Sequence, residues 1–149
     1  MAFFKGKELY STDSKGRVNI PAKMRKSVSP DANDTFTVTR GLDGCIEAYP
    51  LDIWRIKEEH FEKLNQYNAE NRFFLRKILM WSEEVSLDTQ WRIMLPKKLL
   101  EFASIESKVV IAGVGDHIEF WNPEKYDEYM ASKEEPYEDI AAKVMYVGQ

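Results

Sequence analysis

The chain has 149 residues, 44% of them apolar and 31% charged, and carries a formal charge of -4. That size and balance fit one ordinary domain, or two very small ones sharing a core, and exclude a disordered chain. The longest wholly apolar runs, such as Val109 to Ala112, are a few residues long, which excludes a membrane-spanning helix.

In chain order, Met1 to Gly6 offers no apolar stretch of signal-peptide length, so the expected compartment is the cytoplasm. The first 28 residues hold Lys5, Lys7, Lys15, Arg17, Lys23, Arg25 and Lys26 against Glu8 and Asp13, a local balance of +5 that leaves -9 for the remainder. A basic patch on an acidic protein can bind phosphates, because binding follows local field and geometry rather than net charge. A solvated segment with a chance excess of lysine is the other reading. An extended stretch from Glu8 to Asp13 leads into a tight turn and a short strand ending before Pro21, whose missing N–H suits the first turn of a short helix. The β-branched run Thr35 to Thr39 predicts a strand, Asp43-Gly44 a turn, and Cys45 to Tyr49 a second strand. Residues 51–82 predict two helices. Ile53, Trp54, Ile56, Phe61 and Leu64 anchor the first, Phe73, Phe74, Ile78, Leu79 and Trp81 the second, with Asn65 to Ala69 as the break.

The pattern then starts again. Tyr10 to Pro21 lies against Val85 to Pro96 at a constant offset of 75, which aligns Asp13 with Asp88, Arg17 with Arg92 and Pro21 with Pro96. Further on the offset is 72: Val38 to Gly41 falls on Val110 to Gly113, Ile46 to Tyr49 on Ile118 to Trp121, and Trp54 on Tyr126. Each copy is a ββαββ-like module too small to bury a core alone, so packing against the sister copy or another subunit is expected. The expected division is a first module over 1–54, connecting helices over 55–82, a second module over 83–131 and a C-terminal helical tail over 132–149. In that tail Ile140, Ala141, Val144 and Met145 recur at helical spacing and need a partner, such as another subunit.

Catalytic chemistry finds little support. Cys45 lies on a predicted strand with no sequence-near histidine, which reads as a buried small hydrophobe. His60 stands beside Glu58 and Glu59 on a helix, while His117 begins a strand and can donate to Asp116. Gly113-Val114-Gly115-Asp116 lacks the lysine of a P-loop and the rest of a dinucleotide fingerprint. One cysteine excludes an internal disulfide, and two histidines are too few for a histidine-built metal site, although carboxylates could complete one. No catalytic residue, metal or cofactor is expected. Arg17 offers a rigid fork of donors for a guanine edge or a phosphate, and Lys15 a mobile charge beside it. Asp13 would be repelled by a phosphate, so its expected work is to hold Arg17 or cap turn amides. A repeated Asp-x-x-x-Arg pair fits an internal brace as well as a binding site, and both readings stand for Arg17 and Arg92.

Asp13 to Arg17, Ile20-Pro21-Ala22 with Arg25, Thr39 to Cys45 and Tyr49-Pro50, followed by the second Asp-x-x-x-Arg copy, Gly113 to Asp116, Ile118-Glu119 and Trp121, together resemble the MraZ family over about residues 3 to 131. The resemblance implies an α+β fold, mainly β with helices, made of tandem AbrB/SpoVT-type swapped-hairpin β-barrel modules with intervening helices. It implies a bacterial transcriptional regulator associated with the nucleoid, mainly a repressor of its own division and cell wall operon. Such a regulator binds direct repeats in double-stranded promoter DNA as a ring of eight or twelve subunits. On this chain the DNA contact maps to Arg17, with Lys15 beside it and Lys5, Lys7, Lys23, Arg25 and Lys26 as phosphate candidates. Arg92 is the second-module equivalent, and Asp13, Gly16, Pro21, Asp88 and Pro96 are structural. The second copy departs from the family pattern, because Gln90-Trp91 stands where a glycine usually precedes the arginine. If that turn demands positive φ, Trp91 is strained; a different local backbone, or packing of Trp91 on a neighbouring subunit, is the expected resolution. Two further readings remain: an assembly protein without DNA preference, and a toxin-neutralising relative, against which the two-module layout counts.

Overall fold

Each copy supplies four strands and finds most of its hydrogen-bonding partners in the other copy. The computed structural model describes residues 1–146, so the last three residues of the expected tail lie outside the described residues. The first copy contributes β1 (Lys7–Ser11), β2 (Arg17–Asn19), β3 (Thr35–Arg40) and β4 (Ile46–Pro50); the second contributes β5 (Glu83–Ser86), β6 (Arg92–Met94), β7 (Lys108–Val114) and β8 (His117–Trp121). Six of them form one antiparallel sheet in the order β1-β7-β8-β4-β3-β5, and β2 pairs with β6 in a separate two-stranded ribbon. Exchanging the two copies reverses that order onto itself, so the chain has an internal pseudo-twofold axis through the β4–β8 seam. The initial strands are traded: β1 pairs with β7 of the second copy, and β5 with β3 of the first.

Helices α1 (Ala22–Arg25), α2 (Leu51–Glu62), α3 (Ala69–Trp81), α4 (Lys97–Phe102), α5 (Pro123–Met130) and α6 (Tyr137–Tyr146) complete a mixed fold of antiparallel sheets and interspersed helices. Pro21 and Pro96 stand at the cap positions of α1 and α4, one place before the expected first turn. Their ring-fixed φ of -55° and -57° directs each chain from strand into helix at no hydrogen-bond cost. No helix among the described residues is long and apolar enough to cross a membrane.

The core is contributed by both copies. Val18 on β2 and Ile20 just after it share the core with Ile93 on β6 and Leu95 just after it, and Phe36, Val38, Ile46, Ile111, Ile118 and Phe120 fill the space along the large sheet. Burying these side chains against the sister copy adds hydrophobic stabilisation to units of about 70 residues, a size at which a core on its own is marginal.

The seam carries a polar cluster. Glu47 on β4 faces Glu119 on β8 in register, and like charges opposite one another repel. His117 relieves this. Its Nε2 lies 3.0 Å from Glu119 Oε2 and 4.0 Å from Glu47 Oε2, while Nδ1 lies 2.9 Å from Asp116 Oδ1. Trp121 Nε1 donates to the other Glu119 oxygen at 2.8 Å, and the Tyr49 hydroxyl donates to Glu47 at 2.8 Å. Burial alone would lower the imidazole's pKa, but the hydrogen bonds to Glu119 and Asp116 and the nearby carboxylates outweigh it and hold His117 above its ordinary 6.5. A raised folded-state value means that the stabilisation is fully present below the unfolded value and disappears as pH rises through the folded one. Urea melts of His117→Gln against wild type should therefore show their largest stability gap at about pH 6, narrowing as the solution is made more alkaline. A gap that stays constant with pH would mean that the imidazole contributes packing and no charge.

Candidate nucleic-acid interface

The ribbon is where the repeated Asp-x-x-x-Arg segments come together. Strand side chains alternate between faces, so in these three-residue strands the central Val18 and Ile93 point into the core and are 1% exposed, while their neighbours point out. In register Arg17 faces Met94, Val18 faces Ile93 and Asn19 faces Arg92. Arg17 and Arg92, 75 positions apart, thus become diagonal neighbours on one outward face.

Each arginine is set by the aspartate four residues before it. Asp13 Oδ1 accepts from the backbone N–H of Lys15 and of Arg17, both at 2.9 Å, and Asp13 Oδ2 accepts from Arg17 Nε at 2.6 Å. Asp88 repeats the arrangement with Gln90 N at 2.8 Å, Arg92 N at 2.9 Å and Arg92 Nε at 2.8 Å. The Arg17 backbone N–H, the Arg17 side chain and the Lys15 amide outweigh partial desolvation and pull the Asp13 carboxyl down to about 2; the Arg92 backbone N–H leads the same effect on Asp88, also lowered. Both carboxylates are ionised at neutral pH, and each holds its guanidinium through Nε. The brace occupies one edge of the Arg17 fork, and among the described residues its terminal nitrogens have no hydrogen-bonded protein partner. Bracing and binding are therefore compatible uses of one side chain. Arg92 differs slightly, because its Nη1 also lies 4.0 Å from Asp13 Oδ2.

The turns that carry the arginines share one backbone. Gly16 N donates to Asp13 O and Trp91 N to Asp88 O, both at 3.0 Å, and the residue before each arginine has positive φ, 81° at Gly16 and 62° at Trp91. The expectation of a different local backbone around Trp91 is corrected here: the Asp88 hydrogen bonds impose the first copy's turn on the second, and Trp91 occupies the left-handed region. Its ring meets Arg25 of its own chain, with the guanidinium carbon 4.9 Å from the ring centroid. At Gly16 an added Cβ would lie 2.9 Å from Leu95 O and 3.0 Å from Leu100 Cδ1. Gly16→Ala therefore combines a left-handed penalty with a backbone collision, and a loss of about 2 kcal/mol in urea unfolding is expected.

The other basic side chains are distributed unevenly. Lys15 is exposed at the first turn, and Lys23 and Lys26 are exposed on and just after α1, flanking half-buried Arg25. Lys5 and Lys7 precede or begin β1, six or more residues of extended chain and about 20 Å from Asp13. Lys7 Nζ sits 5.1 Å from the Tyr126 ring centroid, so these two lysines are not beside the ribbon turn. Sequence reasoning missed the Trp91–Arg25 contact, although its signal was in the repeat: the offset of 75 places Trp91 on Gly16 and Leu100 on Arg25, two departures that meet in space.

Cys45, Glu47 and Glu119 bring potential ligand atoms within 4.8 Å of one another across the seam. The carboxylates already accept the hydrogen bonds described above. Burial, with Glu119 and Glu47 nearby, pushes the Cys45 thiol far up, which keeps it protonated and a poor nucleophile.

Two interlocked copies of one strand–turn–strand unit, presenting Asp-braced arginines from a two-stranded ribbon, define a tandem-duplicated protein. The family model described as "MraZ protein, putative antitoxin-like" matches residues 3–77 and again 78–146. Proteins named transcriptional regulator MraZ are similar over nearly the whole chain. The one from Natranaerobius thermophilus is 41% identical over 142 residues, 95% of this chain and 96% of its own. Those from Pediococcus pentosaceus and Clostridium tetani are 39% and 37% identical over 145 residues, each covering 97% of this chain and 99% of the relative. This chain belongs to the MraZ family of transcriptional regulators, which act by binding and are not enzymes.

Proposed function

We propose that this chain is a sequence-specific regulator that binds double-stranded promoter DNA through the β2–β6 ribbon, mainly repressing its own division and cell wall operon. The observation that carries this reading is the pair of Asp-braced arginines on one outward face, with the Arg17 terminal nitrogens unengaged by protein among the described residues. Lys15, Lys23, Arg25 and Lys26 would add phosphate contacts, and Lys5 and Lys7 would reach DNA only where it extends along β1. Such contacts set affinity and its salt dependence, whereas the arginine forks set base preference. The modules are residues 1–54 and 83–131, each completed by the other's strands into a swapped-hairpin barrel, with 55–82 and 132–149 on the outside. A ring of eight or twelve copies would place several ribbons on successive direct repeats, so that effective concentration multiplies weak individual contacts. The exposed apolar residues of α3 and α6, among them Phe73, Leu79, Val144 and Met145, suit contacts between copies. Occupying the promoter represses without a reaction, which places the protein in the cytoplasm at the nucleoid.

Fluorescence anisotropy with duplex DNA from directly upstream of its own gene, against a scrambled duplex and across a salt series, tests the reading. Repeat-dependent binding with a steep loss in salt is expected. Equal, weak binding to both duplexes from an intact assembly would overturn it in favour of an assembly protein.

A further inference from the structure

The two turns of the ribbon share a backbone but not a surface, and the difference is a matched exchange of two residues. In the first turn Gly16 packs against Leu95 and Leu100 with no room for a side chain. In the second, Trp91 stands at the Gly16 position and Arg25 at the Leu100 position, and their side chains stack. A bulky residue at a φ of 62° is a conformation that L side chains rarely adopt, and such outliers persist where the surroundings over-determine them. Here three hydrogen bonds do so: Trp91 N to Asp88 O at 3.0 Å, Ile20 N to Trp91 O at 2.9 Å, and Asn19 Nδ2 to Gln90 O at 2.9 Å. The ring is nevertheless 47% exposed, so core packing does not explain its presence. What it supports is Arg25. Among the described residues Arg25 makes no ion pair, and a guanidinium lying on an aromatic face keeps its in-plane N–H groups free for an outside acceptor. Ala22, Arg25, Lys26 and Trp91 line a shallow groove beside this stack, one residue from Arg92.

We propose that Trp91 is a positioning residue for DNA recognition: its ring holds the Arg25 guanidinium against double-stranded DNA at the second turn only, so the two sides of the ribbon contact DNA differently. This rests on the reading that the ribbon meets DNA. The strained tryptophan and the arginine on its ring are then one device, absent from the Gly16 side.

The experiment measures anisotropy of the upstream duplex with Arg17→Ala, Trp91→Gly, Trp91→Tyr, Arg25→Ala and the Trp91→Gly/Arg25→Ala pair, with a melting temperature and an assembly size for each. Trp91→Gly should bind about fivefold more weakly while its melting temperature is unchanged or higher, since glycine accepts the turn. Arg25→Ala should lose about tenfold, the double variant no more than Arg25→Ala alone, and Trp91→Tyr should stay near wild type. Wild-type binding by Trp91→Gly, fully additive losses, or an affinity loss that tracks a fall in melting temperature would each overturn the proposal. Arg17→Ala separates the two levels: if it too binds like wild type, the ribbon reading itself fails, whereas a loss confined to Arg17→Ala removes only the role of Trp91 and Arg25.

Discussion

Replacing Arg17 by alanine is expected to cost about 2 kcal/mol of DNA binding per engaged turn, roughly 30-fold, with folding and assembly unaffected. The side chain is about one-third exposed, and its bond to Asp13 is a surface ion pair within one turn, an interaction that contributes little to stability. The turn itself survives without the guanidinium, because Asp13 Oδ1 still accepts the Lys15 and Arg17 amides. A ring engaging several repeats would magnify the per-turn loss, so the upstream duplex should show a larger deficit than a duplex carrying one repeat. If the arginine only braces the fold, anisotropy will not change and the melting temperature will fall.

Phe120→Ala should produce the largest loss of stability, about 4 kcal/mol, a large part of what a domain of this size has. Phe120 is fully buried on β8, where it faces Ile46 of the first copy on one side and Ile111 of the second on the other. The cavity would open at the seam, and because β1 and β5 are traded between copies, neither half can keep its sheet while the other unravels. Urea unfolding followed by tryptophan fluorescence and by far-ultraviolet circular dichroism should give coincident transitions shifted together. Two separated transitions would mean that the halves are independent.

Much of this architecture is written in local patterns. The Asp-x-x-x-Arg turns, the β-branched strand at Thr35 to Thr39 with its repeat at offset 72, and the helices on either side of Asn65 follow from spacing and turn chemistry, and the duplication made each half a check on the other. Trading of β1 and β5 was not legible in spacing, since a repeat specifies what pairs with its kind but not which copy provides it; only the resemblance to swapped-hairpin modules pointed to an exchange. The seam cluster escaped for a related reason: Glu47, His117 and Glu119 meet only through cross-strand register. At Trp91 a residue-level rule pointed to a changed backbone, yet the Asp88 carboxylate and the β6 ladder outweighed the preference of one side chain. Of the basic residues, charge density singled out Lys5 and Lys7 alongside Arg17, and only the course of β1 separates them from the ribbon.

The covalent link between the copies has a consequence for symmetry. Two separate identical chains meeting across the same axis would have to carry the same residue at both turns, so a tryptophan in one would be a tryptophan in both, and a left-handed strain would be incurred twice. They would also form the ribbon only at concentrations above their dissociation constant. Joined in one chain, the halves meet at any dilution and are free to diverge. Gly16 with Leu100 on one side and Trp91 with Arg25 on the other are the kind of unequal pair that a fused duplicate can hold and a homodimer cannot.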